Sequence, residues 1–379
     1  MRFLTEHLSF YIKNNVSPVR QDVQNHIKHF ERRKNLYKFL GVTSNFLKGK
    51  SVIEIGPGSG QNSLYTASCN PLELFLLEPN PSGIKQIKES YKAWPLDHTN
   101  PTLINNDFLK FETETKYDFV IAECWLGRTK LGKELIKKIE SITKENGIII
   151  LTATPNIGLL ANTLRAALGY RLINKNNYDF KTQSNILHCA FKSHVETLSD
   201  MSRMQIDWVQ DNLMNPAALE EIIHPHELIN ILKNSELLSS YPFIYESWEW
   251  YKSLHSNNSD ISKKWIKQYD QKSHNFLDTQ TYSNDFFEAQ NIDLEVISRK
   301  INDRVIQIRH HNKADKKLID LVNQITNIIP ESHPHIKNNL KEWLKCYISD
   351  EINQNIIQNM KSFKNWFGRE LIYMSFIKK

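Results

Sequence analysis

Cysteine is scarce: Cys69, Cys124, Cys189 and Cys346 are the four in 379 residues, far apart and with no CxxC pair. That spacing argues against a disulfide framework or a zinc site built on paired thiols, and it points to a reducing compartment. Long apolar runs are missing as well. The longest, such as GIIIL, fall far short of the roughly 20 residues a spanning helix needs. The opening stretch MRFLTEHLSFYIKNN lacks the continuous apolar core of a secretory signal, so the expected location is cytoplasmic. A dominant charge is absent too. The net charge is +6, with lysines dispersed along the chain, which reads as a solvated surface rather than a nucleic-acid track. Glycine is the last scarcity. There are 12 in all, so any cluster of them must answer a local need.

What is present is ordinary globular material, 40% hydrophobic and 24% charged. The length exceeds the ~100–200 residues of a usual domain, so the chain makes one elaborated domain or two. Between residues 51 and 153 short apolar runs alternate with amphipathic stretches, the pattern of strand and helix units around a parallel sheet. Strands are expected at 51–55, 74–77, 102–105, 117–123 and 147–153, with helices in QNSLYTAS, SGIKQIKESYKA and GKELIKKIESITKE between them. Several strands are apolar on both faces, as buried parallel strands require.

Upstream, HIKHFERRKNLYKFLG has apolar residues at helical spacing. Downstream, TPNIGLLANTLRAALGY reads as a helix, and Val195, Leu198, Met201, Trp208 and Val209 recur at helical intervals. Asn215-Pro216 and His224-Pro225 place proline where a first helical turn tolerates it. ELLSSYPFIY (236–245) reads as a strand and SLHSNNSDIS as a loop. Long amphipathic helices then follow, with Leu318, Val322, Ile325 and Ile329 on one face and Ile336, Leu340, Trp343 and Tyr347 on another. The chain closes on RELIYMSFIKK, whose β-branched and aromatic content suggests a last strand. The expected division is a helical cap over 1–50, a core over 51–254, a helical insertion over 255–360 and a returning strand over 361–379. The fold expected is α/β, a doubly wound, mostly parallel, seven-stranded Rossmann-like sheet.

Three glycines stand at every second position in VIEIGPGSG, at 56, 58 and 60, after a strand and before a helix. Without Cβ atoms the backbone can turn sharply there and a ligand can touch the main chain. A dinucleotide fingerprint needs G-x-G-x-x-G with a pyrophosphate at the helix N-terminus. Here the third glycine comes one residue early, and Glu54 precedes the loop, a charge poorly placed beside pyrophosphate and well placed beside a cation.

VIEIGPGSG resembles the first motif of class I S-adenosylmethionine-dependent methyltransferases. The later landmarks of that family follow in order: Glu78 in LFLLEPN, Asp107 in NNDFLKF, and YDFVIAECWLG at the fourth strand. The resemblance covers roughly residues 30–155. It implies S-adenosylmethionine as cofactor and S-adenosylhomocysteine as product; separately, no set of carboxylates and histidines stands at metal-ligand spacing, so no metal is expected. It also implies cofactor contacts from Glu54, Gly56, Pro57, Gly58, Ser59, Gly60 and Asn62. Further contacts come from Glu78, Pro79 and Asn80 at the ribose, Asn106, Asp107 and Phe108 at the adenine, and Glu123, Cys124 and Trp125 at the methyl-bearing end. Asp107 taken alone could equally cap a helix.

Methyl transfer needs acceptor and methyl held at near-attack distance, and a base only where the acceptor is a hydroxyl or a protonated amine. Candidate bases are His188, His194, His224 and His226, with His188 and His194 preferred and Glu123 the carboxylate alternative. Arg20, Arg32 and Arg33 either bind the cofactor carboxylate or lie in solvent. Trp248, Trp250 and Tyr251 either stack on a ring or sugar acceptor or pack in a core or interface. The Asn/Asp-Pro-Pro-aromatic run of amino-methyltransferases acting on DNA is absent from AECWLG. The expected activity is methylation of O or N on a small molecule or sugar, with oligomerisation through the helical region left open. The competing readings are a protein-lysine or RNA methyltransferase, a nicotinamide oxidoreductase, and a non-catalytic cofactor-binding subunit.

Overall fold

A computed structural model of the protein describes residues 6–21, 23, 25–94, 97–254 and 261–379. It divides into two compact units. The first runs to Ala153 and takes in Ile223–Tyr269 and Leu371–Lys379; the second is Thr154–Ile222 with Asp270–Glu370. This differs from the division read from sequence, because residues 154–222 group with the later helices instead of with the sheet.

The first unit is built on seven strands: β1 (Ser51–Ile55), β2 (Glu73–Leu77), β3 (Thr102–Ile104), β4 (Tyr117–Ala122), β5 (Thr143–Ala153), β6 (Ser235–Tyr241) and β7 (Ile372–Lys378). They form one sheet in the order β3-β2-β1-β4-β5-β7-β6. β1 to β5 run parallel, and β7 runs antiparallel between β5 and β6. β1 is buried along its whole length, as a strand with helices on both faces must be. The last strand is where the sequence places it. β6 is shorter than expected, ending at the Tyr241–Pro242 cis bond, since proline cannot donate to a ladder. β5 begins at Thr143, inside the stretch expected to finish a helix.

The helices of this unit before β5 are α1 (Glu6–Asn14), α2 (His26–Phe39), α3 (Ser44–Leu47), α4 (Ser63–Ser68), α5 (Pro81–Ala93) and α6 (Gly132–Ser141). Side chains two residues apart on a strand share a face. Val52, Leu74, Leu76, Phe119 and Ile121 therefore point one way, and they pack with Tyr37, Leu40, Leu64, Tyr65 and Ile87 in one core. Glu54 shares that parity, as do Glu78 and Glu123 one step beyond β2 and β4.

The second unit is helical: α7 (Asn156–Ile173), α8 (Phe180–Val195) and α9 (Gln205–Val209), then, after α10 (Pro225–Ile231) and α11 (Ile261–Lys272), α12 (Glu288–Gln307), α13 (Lys316–Ile328), α14 (Pro334–Ile348) and α15 (Gln354–Gln358). All but one residue of α7 are buried. The amphipathic faces expected on α13 and α14 are buried as read. The continuous helix through Val195, Leu198 and Met201 is not there. α8 ends at Val195, Asp200 takes a left-handed conformation, and the chain restarts at α9. Asn215-Pro216 opens only a short 3-10 turn, whereas His224-Pro225 opens α10. The middle of the expected loop, residues 255–260, lies outside the described residues.

Candidate functional site

Between β1 and α4 the chain makes the turn that the glycines allow. Gly56, Gly58 and Gly60 have φ of 73°, 59° and 73°, values that side chains rarely adopt. The Gly56 N–H donates to the Leu77 carbonyl at 2.9 Å and the Gly60 N–H to the Pro57 carbonyl at 3.0 Å. The Ser59 hydroxyl donates to Gln61 Oε1 at 2.9 Å. Asn62 precedes α4 without a side-chain capping bond. Two side chains lie over the bare backbone: a Cβ on Gly56 would sit 2.8 Å from Trp125 Nε1, and one on Gly58 would sit 2.5 Å from Val19 Cγ2. Trp125 is held there by donating its indole N–H to the Ile55 carbonyl at 2.8 Å.

Glu78, at the end of β2, ties the loop to the next turn. Its carboxylate accepts the Gly58 N–H at 2.9 Å and the Asn80 N–H at 2.8 Å. Burial pushes its pKa up to about 7, with the two N–H bonds opposing the shift. Pro79 is half-buried. Asn80 caps α5 through the Ser82 N–H and donates to the Val16 carbonyl at 3.0 Å. After β3, Asn106 is half-buried. Asp107 accepts the Leu109 N–H on Oδ1 at 3.0 Å, while its Oδ2 is buried without a hydrogen-bond partner among the described residues. Phe108 is 2% exposed, against Phe111 and beneath the Lys138 ammonium.

At β1 and β4 the carboxylates part company. Glu54 is buried, and its pKa is pushed up to about 8 by burial and then by the charge of Glu123, with Arg33 opposing. Glu123 accepts two bonds from Arg33, at 3.0 and 2.8 Å. Cys124 is exposed with φ 68°. Its N–H donates to Thr152 Oγ1 at 2.7 Å, and its Sγ lies 3.8 Å from the Tyr373 hydroxyl. Sequence reading missed Tyr37, Thr152 and Tyr373. Only Tyr373 carried a signal, its place at the edge of an expected last strand.

Some expectations need correcting. Glu123 is not a free base, since both its oxygens are engaged by Arg33. Arg33 is neither solvated nor open to a ligand carboxylate; Arg32 is exposed and Arg20 half-buried. His188 and His194 both lie on α8, in the helical unit. The His194 ring is fully buried and bonded through Nε2 to the Ile357 carbonyl at 2.8 Å, and burial lowers its pKa to about 3. That makes it a neutral core residue instead of a base. His188 is half-buried, with Nε2 3.3 Å from Gln205 Oε1. His224 caps α10 and meets the Tyr269 hydroxyl at 3.4 Å, with the His226 ring alongside. Trp248, Trp250 and Tyr251 are exposed, at 96%, 66% and 69%, so they are not core.

The glycine turn and its flanking carboxylates lie at the ends of β1, β2 and β4, neighbours in the sheet. Residues 27–193 match the model of a family described as a methyltransferase domain. That stretch is under half of the chain, and over it the chain is similar to methyltransferase domains. The chain is similar in structure to magnesium protoporphyrin IX methyltransferase from Synechocystis PCC 6803 with bound SAM, at 15% identity over 41% of this chain and 79% of that one, with a TM-score of 0.33. It is similar also to the N-methyltransferase NodS from Bradyrhizobium japonicum WM9 in complex with S-adenosyl-L-homocysteine, at 17% identity over 39% of this chain and 74% of that one, TM-score 0.31. PKMT2 from Rickettsia typhi in complex with AdoHcy is 15% identical over 64% of this chain and 49% of that one, TM-score 0.39. No curated protein sequence matches the chain. Among the described residues, no three His, Cys, Asp or Glu side chains gather as metal ligands, and no helix is long and apolar enough to cross a membrane.

Proposed function

We propose that this methyltransferase seats S-adenosylmethionine across the glycine turn and passes its methyl group to an oxygen or nitrogen of a small-molecule or sugar acceptor. The observation that carries the reading is a bare-backbone turn ringed by buried carboxylates with capacity to spare. Asp107 Oδ2 is a buried acceptor with no donor among the described residues, suited to an adenine amino group. Each Glu78 oxygen accepts one N–H and keeps a lone pair for a ribose hydroxyl. Glu54 offers a negative charge to the cationic end. The adenine-side turn includes Asn106 and Phe108, and the methyl-bearing end includes Cys124 and Trp125.

The bound cofactor supplies an electrophilic methyl; the chain supplies position and charge. The acceptor class is supported by the absent Asn/Asp-Pro-Pro-aromatic run and by the solvent-facing Trp248, Trp250 and Tyr251, whose rings suit stacking on a sugar or ring.

Titration calorimetry of S-adenosylmethionine against wild type and Glu78→Ala tests the seat. A loss of about tenfold or more in affinity is expected for removal of a charge-assisted acceptor, and equal affinity defeats the assignment. Labelled methyl groups appearing in the small-molecule fraction of a cell extract support the acceptor class; label in protein or RNA overturns it.

A further inference from the structure

Beneath the glycine turn, on the face covered by α2, four polar side chains meet: Glu54 from β1, Glu123 just past β4, and Arg33 and Tyr37 from α2. Arg33 gives both terminal nitrogens to Glu123, and one of them also donates to the Tyr37 hydroxyl at 3.2 Å. The Arg33 and Glu123 side chains are only 5% and 7% exposed. Glu54 is as deeply buried, yet among the described residues no hydrogen bond reaches it. One guanidinium faces two carboxylates and is committed to one of them.

We propose that Arg33 is a positioning residue of the cofactor site: by holding Glu123 it reserves Glu54 as counter-ion for the cationic methionine end of S-adenosylmethionine, which binds with release of a proton from Glu54. The inference rests on the function proposed above. A buried carboxyl without a cation or donor holds its proton, because the charged form is the one that burial penalises. The raised Glu54 pKa agrees with this. The charged and titratable groups around it are Glu123 past β4, Arg33 and Tyr37 on α2, and Tyr91 on α5. Tyr65 on α4 and Tyr373 on β7 sit around Arg33 and Glu123. Burial raises Tyr37, Tyr65 and Tyr91, and the charge of Cys124 followed by burial raises Tyr373. All four phenols therefore stay neutral near pH 7, and the carboxyls of the site that burial keeps protonated into the neutral range are Glu54 and, at the end of β2, Glu78. A cation arriving beside Glu54 favours the carboxylate, and the proton leaves to solvent. Affinity then rises about tenfold per pH unit up to about pH 8 and levels off above it.

The test is titration calorimetry of S-adenosylmethionine at about pH 6.5 in phosphate and in Tris, whose ionisation enthalpies differ. Wild type should show heats that differ between the buffers by the equivalent of at least about one proton, and Glu54→Gln should release about one proton fewer, Glu78 contributing equally to both. In Glu123→Gln the freed guanidinium should turn to Glu54 and ionise it in advance, removing the proton that Glu54 releases and weakening binding about tenfold. Adding Arg33→Met to that variant replaces the ion pair with neutral side chains. It should bring back the Glu54 proton release and bind more tightly than Glu123→Gln alone. If the double variant stays as weak as Glu123→Gln, Arg33 touches the cofactor itself and the inference fails. Buffer-independent heats in wild type, or proton release undiminished in Glu54→Gln, overturn it as well, and that pair of measurements decides the matter even where the Arg33 variants do not fold. Absence of any binding in wild type overturns the proposed function and this inference with it, a result distinct from binding without proton release.

Discussion

Glu78 does two jobs with one carboxylate: it fixes the glycine turn through the Gly58 N–H and the following turn through the Asn80 N–H. Glu78→Ala leaves two N–H groups in a buried pocket without an acceptor. A loss of about 2–4 kcal/mol in stability is expected from denaturant unfolding, beyond any effect on ligand binding. Glu54 sets a pH dependence of its own. Its pKa of about 8 in the folded chain lies above the ordinary carboxylate value, so the native state holds the proton more tightly than the unfolded one. The stability it contributes is full below about pH 4 and is lost as pH rises through about 8. Glu54→Gln should therefore flatten the fall of Tm across that window. Melting curves of both proteins from about pH 5 to 9 check this, and parallel curves would show that Glu54 is already ionised in the fold. At this scale the sequence was legible where chemistry is local. The left-handed glycines and the carboxylates at strand tips follow from a few adjacent residues. The Arg33–Glu123 pair joins positions 90 apart, and nothing in either segment announces the other.

Among the elements, the segment after α1 behaves as a strap. Asn80 donates to the Val16 carbonyl, the Ser82 hydroxyl to Asn15 Oδ1 at 3.1 Å, the Gln21 N–H to Gln61 Oε1, and Val19 presses on Gly58. The contacts run from the start of α5 across the glycine turn. Val19→Gly removes the apolar contact, worth about 1–2 kcal/mol if fully buried, and the segment should open more often. Trypsin cleavage after Arg20 is then expected to accelerate severalfold, followed by mass spectrometry; an unchanged rate would mean that the polar contacts alone hold it. Helix and strand types were readable because their periodicities differ. Their ends were not. Pro242 cut β6 short, and Asp200, in a left-handed conformation, lies in the break between α8 and α9.

For the whole molecule, the last strand matters most. β7 is the partner of both β5 and β6, so the final residues complete a sheet begun more than 300 positions earlier. A chain ending at Glu370 leaves β6 without its neighbour and exposes the edge of β5. Loss of cooperative thermal unfolding and aggregation are expected, and a clean two-state melt of the truncated chain would contradict that role. The second unit, Thr154–Ile222 with Asp270–Glu370, was hidden in the sequence because its first part follows the core without any break in composition.

The amino-acid sequence by itself determined the strand, bare turn and helix that make a cofactor seat, because backbone freedom and strand-end carboxylates are properties of neighbouring residues. Only the tertiary structure decided which of those carboxylates keeps a cation and which is left without one. Burial and ion pairing depend on groups that meet in space, and a guanidinium can neutralise a partner at any distance along the chain.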